Sequence, residues 1–171
     1  MNLLSVIFNN LELFNTLNFQ TVFISKVLNV RKVESYIYMK KKIWIWNHYA
    51  TNMYFNEGGR HYWFAENLLK HEYEPTIFCA NTRHNNDEIV NIERGKFKTA
   101  IKNKIPFVLI KTYPYSGNGK DRIKNMISFY KNLFSVSKEY SKKAGKPDVI
   151  IASSVHPLTL VAGIKIAKKF G

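Results

Sequence analysis

The chain has 171 residues, of which 46% are hydrophobic and 15% aromatic, which is enough for one buried core. Its net charge of +14 favours anionic partners, namely phosphates, nucleic acid or an anionic membrane surface. Cys79 is the only cysteine, so an intrachain disulfide and a cysteine-based zinc site are excluded, and a cytoplasmic location is predicted.

Residues 1–39 are predicted to be an extension that precedes a single domain at residues 40–171. Asn, Glu and Gln interrupt their apolar pattern before it reaches the ~18 apolar residues that a membrane-spanning helix needs. A signal peptide is not predicted either, because the extension lacks a basic start and a small-residue cleavage site. We expect a poorly ordered or partly helical tail, with contact to a membrane surface as the alternative.

Strand and helix patterns alternate through residues 40–171. The apolar and aromatic run at 42–47 is typical of a strand that is buried on both faces of a parallel sheet. Apolar residues at helical spacing follow at 62–69, and a second strand pattern occupies 75–80, which together predict a right-handed βαβ unit. Residues 81–104 are polar and aperiodic, so we expect a surface excursion with room for one short strand.

The second half of the chain continues the same alternation. Its predicted elements are strands at 106–111 and 148–153 and helices at 120–143 and 158–170. The pattern predicts an α/β fold with a Rossmann-like, doubly wound and mainly parallel sheet, whose ligands lie outside the carboxyl ends of the strands. The loops that we expect at this edge are 47–60, 112–119 and 153–157.

The loop before the first predicted helix contains Gly58 and Gly59. Free backbone N–H groups and the positive end of a helix dipole can meet a phosphate there, and glycine permits a close approach. The spacing is not that of a dinucleotide fingerprint, so a plain loop hinge is the alternative. Arg60 can pair with an anionic ligand and His61 can titrate near neutral pH; a solvated side chain is the alternative for each.

Two later loops hold further candidates for binding an acceptor or an anion. Asn118, Gly119, Lys120 and Arg122 surround the start of the long helix, where amides and cations can receive a phosphate or carboxylate; a solvated helix start is the alternative. Ser153, Ser154 and His156 follow the last predicted strand. His156 can act as a general base or orient a hydroxyl, and a histidine that only structures the loop is the alternative.

A metal site is not predicted. His48 and His84 lack partners at metal-ligand spacing, and the sequence has no HExxH motif or paired Cys/His cluster. The nucleophile motif GxSxG and the phosphate-binding motif GxxxxGK[ST] are also absent. The sequence therefore gives no sign of a metalloprotease, a P-loop enzyme or a serine hydrolase of that type.

Four segments in order resemble the N-terminal domain of bacterial family 4 glycosyltransferases of the GT-B type, particularly those that build O-antigen or capsular polysaccharide. The segments are 43–50, 58–62, 111–122 and 147–157. The resemblance covers about residues 41–171 and implies two Rossmann-like domains that face a cleft. By this resemblance the N-terminal domain shapes the acceptor site, the C-terminal domain holds the nucleotide sugar, and no metal or other cofactor is needed.

The resemblance also implies roles for individual residues and partners. Gly58 and Gly59 are expected to approach the diphosphate of the donor, a UDP-sugar, and His156 to contact the reacting sugars in a retaining transfer. The acceptor is expected to be a lipid-linked saccharide, and the protein to be cytoplasmic, with peripheral attachment to the inner face of the membrane. The last strands of such a domain and the C-terminal domain are not found in the sequence, so the chain is expected to require that domain for activity.

Two alternatives remain open at the level of the sequence. One is an inactive, truncated remnant of such an enzyme. The other is a basic nucleic-acid-binding module, because the many Tyr, Phe and Trp residues could stack on bases. The apolar periodicity assigns most of these aromatic residues to a core, which disfavours the second alternative.

Overall fold

The computed structural model describes residues 40–84, 88–117, 119–155 and 157–171. The predicted extension at 1–39 lies outside the described residues, so the boundary at residue 40 stays a prediction. The strands are β1 (Lys42–Trp46), β2 (Glu74–Ala80), β3 (Phe97–Lys102), β4 (Ile105–Ile110) and β5 (Val149–Ala152). The helices are α1 (Thr51–Asn56), α2 (Arg60–Lys70), α3 (Lys120–Ala144) and α4 (Pro157–Phe170).

The described strands form one mixed, mostly parallel sheet in the order β3-β4-β2-β1-β5. Strand β1 is parallel to both β2 and β5, and β2 is parallel to β4, whereas β3 pairs with β4 in an antiparallel hairpin. From β1 the chain moves outward to β2 and then to the β3–β4 hairpin, in which β4 lies beside β2 and β3 forms the edge. It then returns to the other side of β1 for β5. The predicted α/β, Rossmann-like, doubly wound fold is confirmed, and the strand order reverses between β1 and β5.

Helices cover both faces of the sheet, which explains the continuous apolar character of the strands. In β1, Trp44 and Trp46 face the core that contains Phe129 of α3 and Ala162 of α4. The alternate residue Ile45 faces the opposite core, which includes Tyr62 and Ala65 of α2. Among the described residues, no helix is long and apolar enough to cross a membrane.

Helix α1 differs from the sequence-based prediction, whereas strand β3 is the one short strand for which residues 81–104 had room. Helix α1 lies inside the segment that was expected to be loop, where the Thr51 hydroxyl donates to the carbonyl oxygen of Ala80 at 2.5 Å and anchors the first turn to β2. Strand β3 occupies six residues of the expected surface excursion. Its hairpin turn has Asn103 at φ 45° and Lys104 at φ 69°, the left-handed geometry of a type I′ turn without the usual glycine.

Candidate functional site at the carboxyl edge of the sheet

The loops that follow the central strands meet at the carboxyl edge of the sheet. The backbone N–H of Asn47, directly after β1, donates to Phe78 O of β2 at 3.0 Å. On the other side of β1, the N–H of Ser153 donates to Trp46 O at 2.8 Å. The loops after β1, β2 and β5 are therefore neighbours at the point where the strand order reverses, which is where doubly wound folds bind ligands.

A buried polar network beneath these loops is centred on Asn125 of α3, whose exposed fraction is 0%. The Asn125 amide nitrogen Nδ2 donates to Thr82 Oγ1 and Thr112 Oγ1, each at 3.0 Å, and to Tyr113 O at 2.6 Å. Its oxygen Oδ1 lies 2.6 Å from His48 Nε2. Because the amide nitrogen faces three acceptors, Oδ1 is the acceptor from His48, and the imidazole carries its proton on Nε2.

The same network joins the ends of β2 and β4. Asn81 Oδ1 accepts from Thr112 N at 2.9 Å and from Thr112 Oγ1 at 3.0 Å. The hydroxyls of Thr82 and Thr112 lie 3.3 Å apart. All of these side chains are buried, so their hydrogen bonds are shielded from water and hold the loops in one arrangement.

A second group, which we call the Tyr49 cluster, consists of Tyr49, His84, Tyr115 and Arg122. Arg122 Nη2 donates to Tyr49 OH at 3.0 Å, and the guanidinium carbon lies 5.9 Å from the centre of the Tyr49 ring. The Tyr49 ring also contacts two imidazoles, that of His48 at 4.6 Å and that of His84 at 4.7 Å between centroids. His84 Nδ1 in turn lies 2.9 Å from Tyr115 OH. Each side chain comes from a different part of the fold: Tyr49 follows β1, His84 follows β2, Tyr115 follows β4 and Arg122 lies in the first turn of α3.

Burial and the neighbouring cation perturb the ionisable groups of this cluster. Desolvation, and secondarily the positive charge of Arg122, lower the pKa of His84 below its ordinary value. Desolvation also raises the pKa of Tyr115. The hydrogen bond that Arg122 donates to Tyr49 OH raises the pKa of Arg122, so at neutral pH the guanidinium is a cation beside the neutral imidazole of His84.

A cleft of about 340 Å³ opens beside Tyr115. Aromatic, hydroxyl and carboxylate groups line it: Thr82, Ile89, Tyr113, Pro114, Tyr115, Ser116 and Asp121. Its size is at the lower end of the range for small-molecule sites. Because Tyr115 belongs both to the cleft and to the Tyr49 cluster, a ligand in the cleft is adjacent to the hydrogen bond between Tyr115 and His84.

His61 is attached to the same edge through Asn47. Asn47 Oδ1 accepts from the N–H of Tyr49 at 3.0 Å, which leaves its Nδ2 to donate to His61 Nδ1 at 2.9 Å. His61 therefore accepts on Nδ1 and is neutral. Burial, with a smaller effect of Arg60, lowers the pKa of His61, which agrees with this neutral form.

The two glycines predicted to approach a diphosphate lie between α1 and α2. Gly59 has φ 113°, and a Cβ atom at this position would lie 3.2 Å from Met53 Cγ. The preceding Glu57 accepts from Lys102 Nζ at 3.2 Å and from Asn103 Nδ2 at 2.8 Å, which fixes this corner against the β3–β4 turn. The positive φ and the nearby Met53 side chain explain why residue 59 is a glycine. The approach of Gly58 and Gly59 to a diphosphate stays a prediction.

The structure brings some of the other predicted residues to the carboxyl edge and leaves others at the surface. Arg122 joins the Tyr49 cluster, His61 is bonded to Asn47, and half-buried Ser153 lies beside β1. The solvent-exposed candidates are Arg60, Gly119, Lys120 and Ser154. Asn118 and His156 lie outside the described residues, so their roles stay predictions.

Sequence reasoning missed Tyr49, Tyr115 and Asn125, and it considered His84 only as a metal ligand. Tyr49 and Tyr115 lie in two of the loops that were expected at the carboxyl edge, but their mutual proximity depends on the strand order. In the part of the chain that the structure describes, no group of three His, Cys, Asp or Glu residues could hold a metal ion. No family model matches the chain, and no curated protein or solved structure matches it.

Proposed function

We propose that residues 40–171 form the acceptor-side domain of a GT-B glycosyltransferase that moves a sugar from a nucleotide donor to a saccharide acceptor in cell-surface polysaccharide synthesis. The observation that supports this proposal is the convergence of the four segments that carry the resemblance. Asn47 and His61 connect the first two segments, Tyr49 and Arg122 connect the first to the third, and Trp46 and Ser153 connect the first to the fourth. These residues are distant in the sequence but lie together at the carboxyl edge of the sheet.

The chemistry of this edge suits a saccharide that bears an anionic group. The guanidinium of Arg122 can form charge-assisted hydrogen bonds with a phosphate or carboxylate, and Tyr49 holds it in position. The cleft beside Tyr115 offers aromatic rings for the apolar face of a sugar and the hydroxyl of Ser116 and carboxylate of Asp121 for its hydroxyl groups. We assign the saccharide to the cleft and its diphosphate or acidic group to Arg122.

In the proposed reaction, a hydroxyl oxygen of the acceptor forms a bond to the anomeric carbon of the donor sugar. The bond from that carbon to the nucleoside diphosphate breaks, and the nucleoside diphosphate leaves with the electron pair. His156, in the loop between β5 and α4, is the proposed group that orients the hydroxyl or takes its proton. Gly58 and Gly59 are proposed to approach the diphosphate of the donor, which we take to be a UDP-sugar.

A direct test is calorimetric titration of the purified chain with a short-chain isoprenyl diphosphate saccharide, a soluble analogue of a lipid-linked acceptor. We expect saturable binding that Arg122→Ala weakens by about 10- to 100-fold, because a charge-assisted hydrogen bond contributes about 1.5–3 kcal/mol. Lys131→Ala is the matched control, since it removes the same charge from an exposed position of the same helix. The control should retain the wild-type affinity.

Two results would contradict the proposal. Equal losses in Arg122→Ala and Lys131→Ala would mean that the analogue responds only to net charge. Absence of binding to the analogue, together with tight and steeply salt-dependent binding to an oligonucleotide, would instead support a nucleic-acid-binding module. Alanine at His156 in a catalytically active form of the enzyme tests the role of that residue, and unchanged turnover would remove it from the mechanism.

A further inference from the structure

Strand β3 forms one edge of the sheet and, among the described strands, pairs only with β4. In an antiparallel pair, residues that exchange main-chain hydrogen bonds alternate with residues that do not. Lys111 N donates to Lys96 O at 2.8 Å, so the bonded positions continue through residues 98, 100 and 102. The N–H and C=O groups of the intervening residues point away from β4, and we call this side the outer edge of β3: Phe97, Thr99 and Ile101.

The residues of β4 that lie opposite agree with this pattern. Ile110, the partner of Phe97, accepts from Asn81 N on the β2 side at 2.8 Å, so its carbonyl is turned away from β3. Pro106, the partner of Ile101, has no N–H to donate. Ile101 is 73% exposed, so solvent reaches the outer edge. An edge of this kind can accept a further strand.

The chain around the outer edge is strongly basic. Residues 94–104 contain five cations and no acidic residue: Arg94, Lys96, Lys98, Lys102 and Lys104. Lys102 pairs with Glu57 at 3.2 Å, so one of these cations already holds a carboxylate. The other four are exposed and form no ion pair within the part of the chain that the structure describes. Their charge is therefore available to an acidic partner.

The two faces of β3 present different side chains. Phe97 packs against the core that α3 shares with the sheet, and Ile101 lies on the same face because it is four residues further along the strand. Lys98 and Lys102 lie on the opposite face, on either side of Ala100, which packs against the core that contains α2. An added strand would thus place alternate residues beside apolar groups and beside lysines.

A cleft of about 320 Å³ opens at the start of β3. It is lined by Asn91, Ile92, Glu93, Arg94, Phe97 and Lys98. Because Phe97 and Lys98 point to opposite faces of the sheet, the cleft lies at the sheet edge. It has room for side chains at one end of an added strand, and pockets of this kind give strand addition its specificity.

We propose that the outer edge of β3 binds an extended, acidic segment of a partner protein as an additional antiparallel strand. The main-chain groups supply hydrogen bonds, the cations pair with acidic side chains, and Phe97 and Ile101 contact the apolar residues between them. A second copy of this chain fits less well, because it would bring the same five cations to the same place. The phosphates of a nucleic acid can meet the cations but offer no donors to the outward-facing carbonyl groups.

This inference goes beyond the proposed function. Two strands separate β3 from β1 in the sheet, and neither donor nor acceptor takes part in the binding. Because no saccharide is present in the experiments below, their failure is distinct from failure of the titration with the acceptor analogue.

The test measures binding of a fluorescent, end-blocked peptide to the full chain by fluorescence anisotropy at low salt. The peptide has four glutamates that alternate with three valines, so that glutamates can face the lysines while valines face the apolar side. The matched control peptide has the same residues with the glutamates first and the valines last. We expect saturable binding of the alternating peptide and binding of the control that is about tenfold weaker, because only alternation matches the two faces of a strand.

Amide hydrogen exchange, followed by NMR, tests the geometry of the complex. In the protein alone, the amides of Phe97, Thr99 and Ile101 should exchange quickly, whereas bonds to β4 protect those of Lys98 and Ala100. When about 90% of the protein is bound to the alternating peptide, the three outward-facing amides should exchange about tenfold more slowly, because only the unbound fraction exchanges. Protection of these three amides would identify the outer edge as the binding site.

Variants separate main-chain pairing from charge. Thr99→Pro removes an outward-facing N–H without removing a bond to β4 and should weaken binding by about 3- to 10-fold, whereas Thr99→Val should bind like wild type. R94Q/K98Q should weaken binding by about fivefold. The control K70Q/K138Q removes the same charge from exposed positions of α2 and α3 and should change binding by about twofold or less. Circular dichroism and thermal unfolding check that each variant is folded.

Four outcomes would overturn the inference. Absence of peptide binding would remove it outright. Equal binding of the two peptides, or equal losses in R94Q/K98Q and K70Q/K138Q, would assign the effect to net charge. Unchanged exchange at the three outward-facing amides would place the peptide elsewhere, and this result decides the matter even if Thr99→Pro does not fold. Protection of the same amides by dimerisation of the chain or by a single-stranded oligonucleotide, more strongly than by the peptide, would replace the acidic segment with that occupant.

Discussion

At the residue scale, three histidines at the carboxyl edge are held by side-chain hydrogen bonds. His48 donates to Asn125, His61 accepts from Asn47, and His84 is bonded to Tyr115. A neutral imidazole both donates and accepts a hydrogen bond, so His84, whose pKa is lowered, can link two groups without adding charge beside Arg122. This arrangement places no second positive charge on the imidazole beside Arg122.

The lowered pKa of His84 predicts how stability depends on pH. The ordinary value is 6.5, and the folded protein holds the pKa below it, so the unfolded chain takes up a proton first as the pH falls. Stability is therefore fully present above about pH 6.5 and is lost as the pH falls toward the folded pKa. The lowered pKa of His61 acts in the same direction. Urea unfolding at several pH values measures how the free energy of unfolding depends on pH. An NMR titration of His84 measures its pKa in the folded protein.

Arg122→Gln provides the internal check on this prediction. Removing the guanidinium should raise the pKa of His84 only part of the way to 6.5, because desolvation is the larger cause of the shift. Lys131→Gln, on the exposed side of the same helix, should leave the His84 titration unchanged. A His84 midpoint at or above 6.5 in the wild-type protein would show that the imidazole is more hydrated than its contacts imply.

At the element scale, the packing of α4 on β5 depends on a glycine. A Cβ atom at Gly163 would lie 2.8 Å from Ala152 Cβ, closer than two carbon atoms approach without a shift of the helix. At an open helix position, Gly→Ala stabilises by about 0.5–1 kcal/mol. We expect Gly163→Ala to destabilise instead, by about 1–3 kcal/mol, because it overpacks the interface between α4 and β5. Denaturant unfolding measures the change in free energy.

The partner substitution Ala152→Gly tests the cause of this effect. It removes the methyl group that the new Cβ would meet, so the double variant G163A/A152G should be more stable than the sum of the two single changes predicts. A double-mutant cycle without coupling would contradict the steric explanation. An increase in stability for Gly163→Ala alone would show that α4 can move away from β5 at little cost.

The elements also show what sequence patterns can and cannot predict. The sequence predicts four of the strands, because burial on both faces of the sheet gives a strand a continuous apolar run: β1, β2, β4 and β5. It also predicts three of the helices, because burial on one side gives a helix apolar residues at helical spacing: α2, α3 and α4. Helix α1 is only six residues long, and none of the six residues of β3 is fully buried, so neither has a sustained apolar pattern. His48 and Asn125 are 77 positions apart, and only the folded topology brings them together.

At the scale of the whole molecule, positive charge is far in excess of what ion pairs neutralise. The described residues form three ion pairs between side chains, Arg83–Glu88, Lys102–Glu57 and Lys124–Asp121. Each has at least one substantially exposed partner, and exposed pairs contribute at most about 1 kcal/mol. With a net charge of +14, repulsion between like charges is expected to exceed the attraction within these pairs.

This balance predicts that moderate salt stabilises the protein. Raising NaCl from about 0.02 M to about 0.3 M shortens the Debye length from roughly 20 Å to roughly 6 Å. This change screens repulsion among the exposed lysines of α3, which extend over about 33 Å from Lys120 to Lys142, more than it weakens the short contacts within ion pairs. The free energy of unfolding should therefore rise with salt. The variant K131Q/K138Q should be more stable than wild type at low salt and show a smaller rise, because two mutually repelling charges are gone. A free energy that falls with salt would mean that attraction between opposite charges dominates despite the net charge.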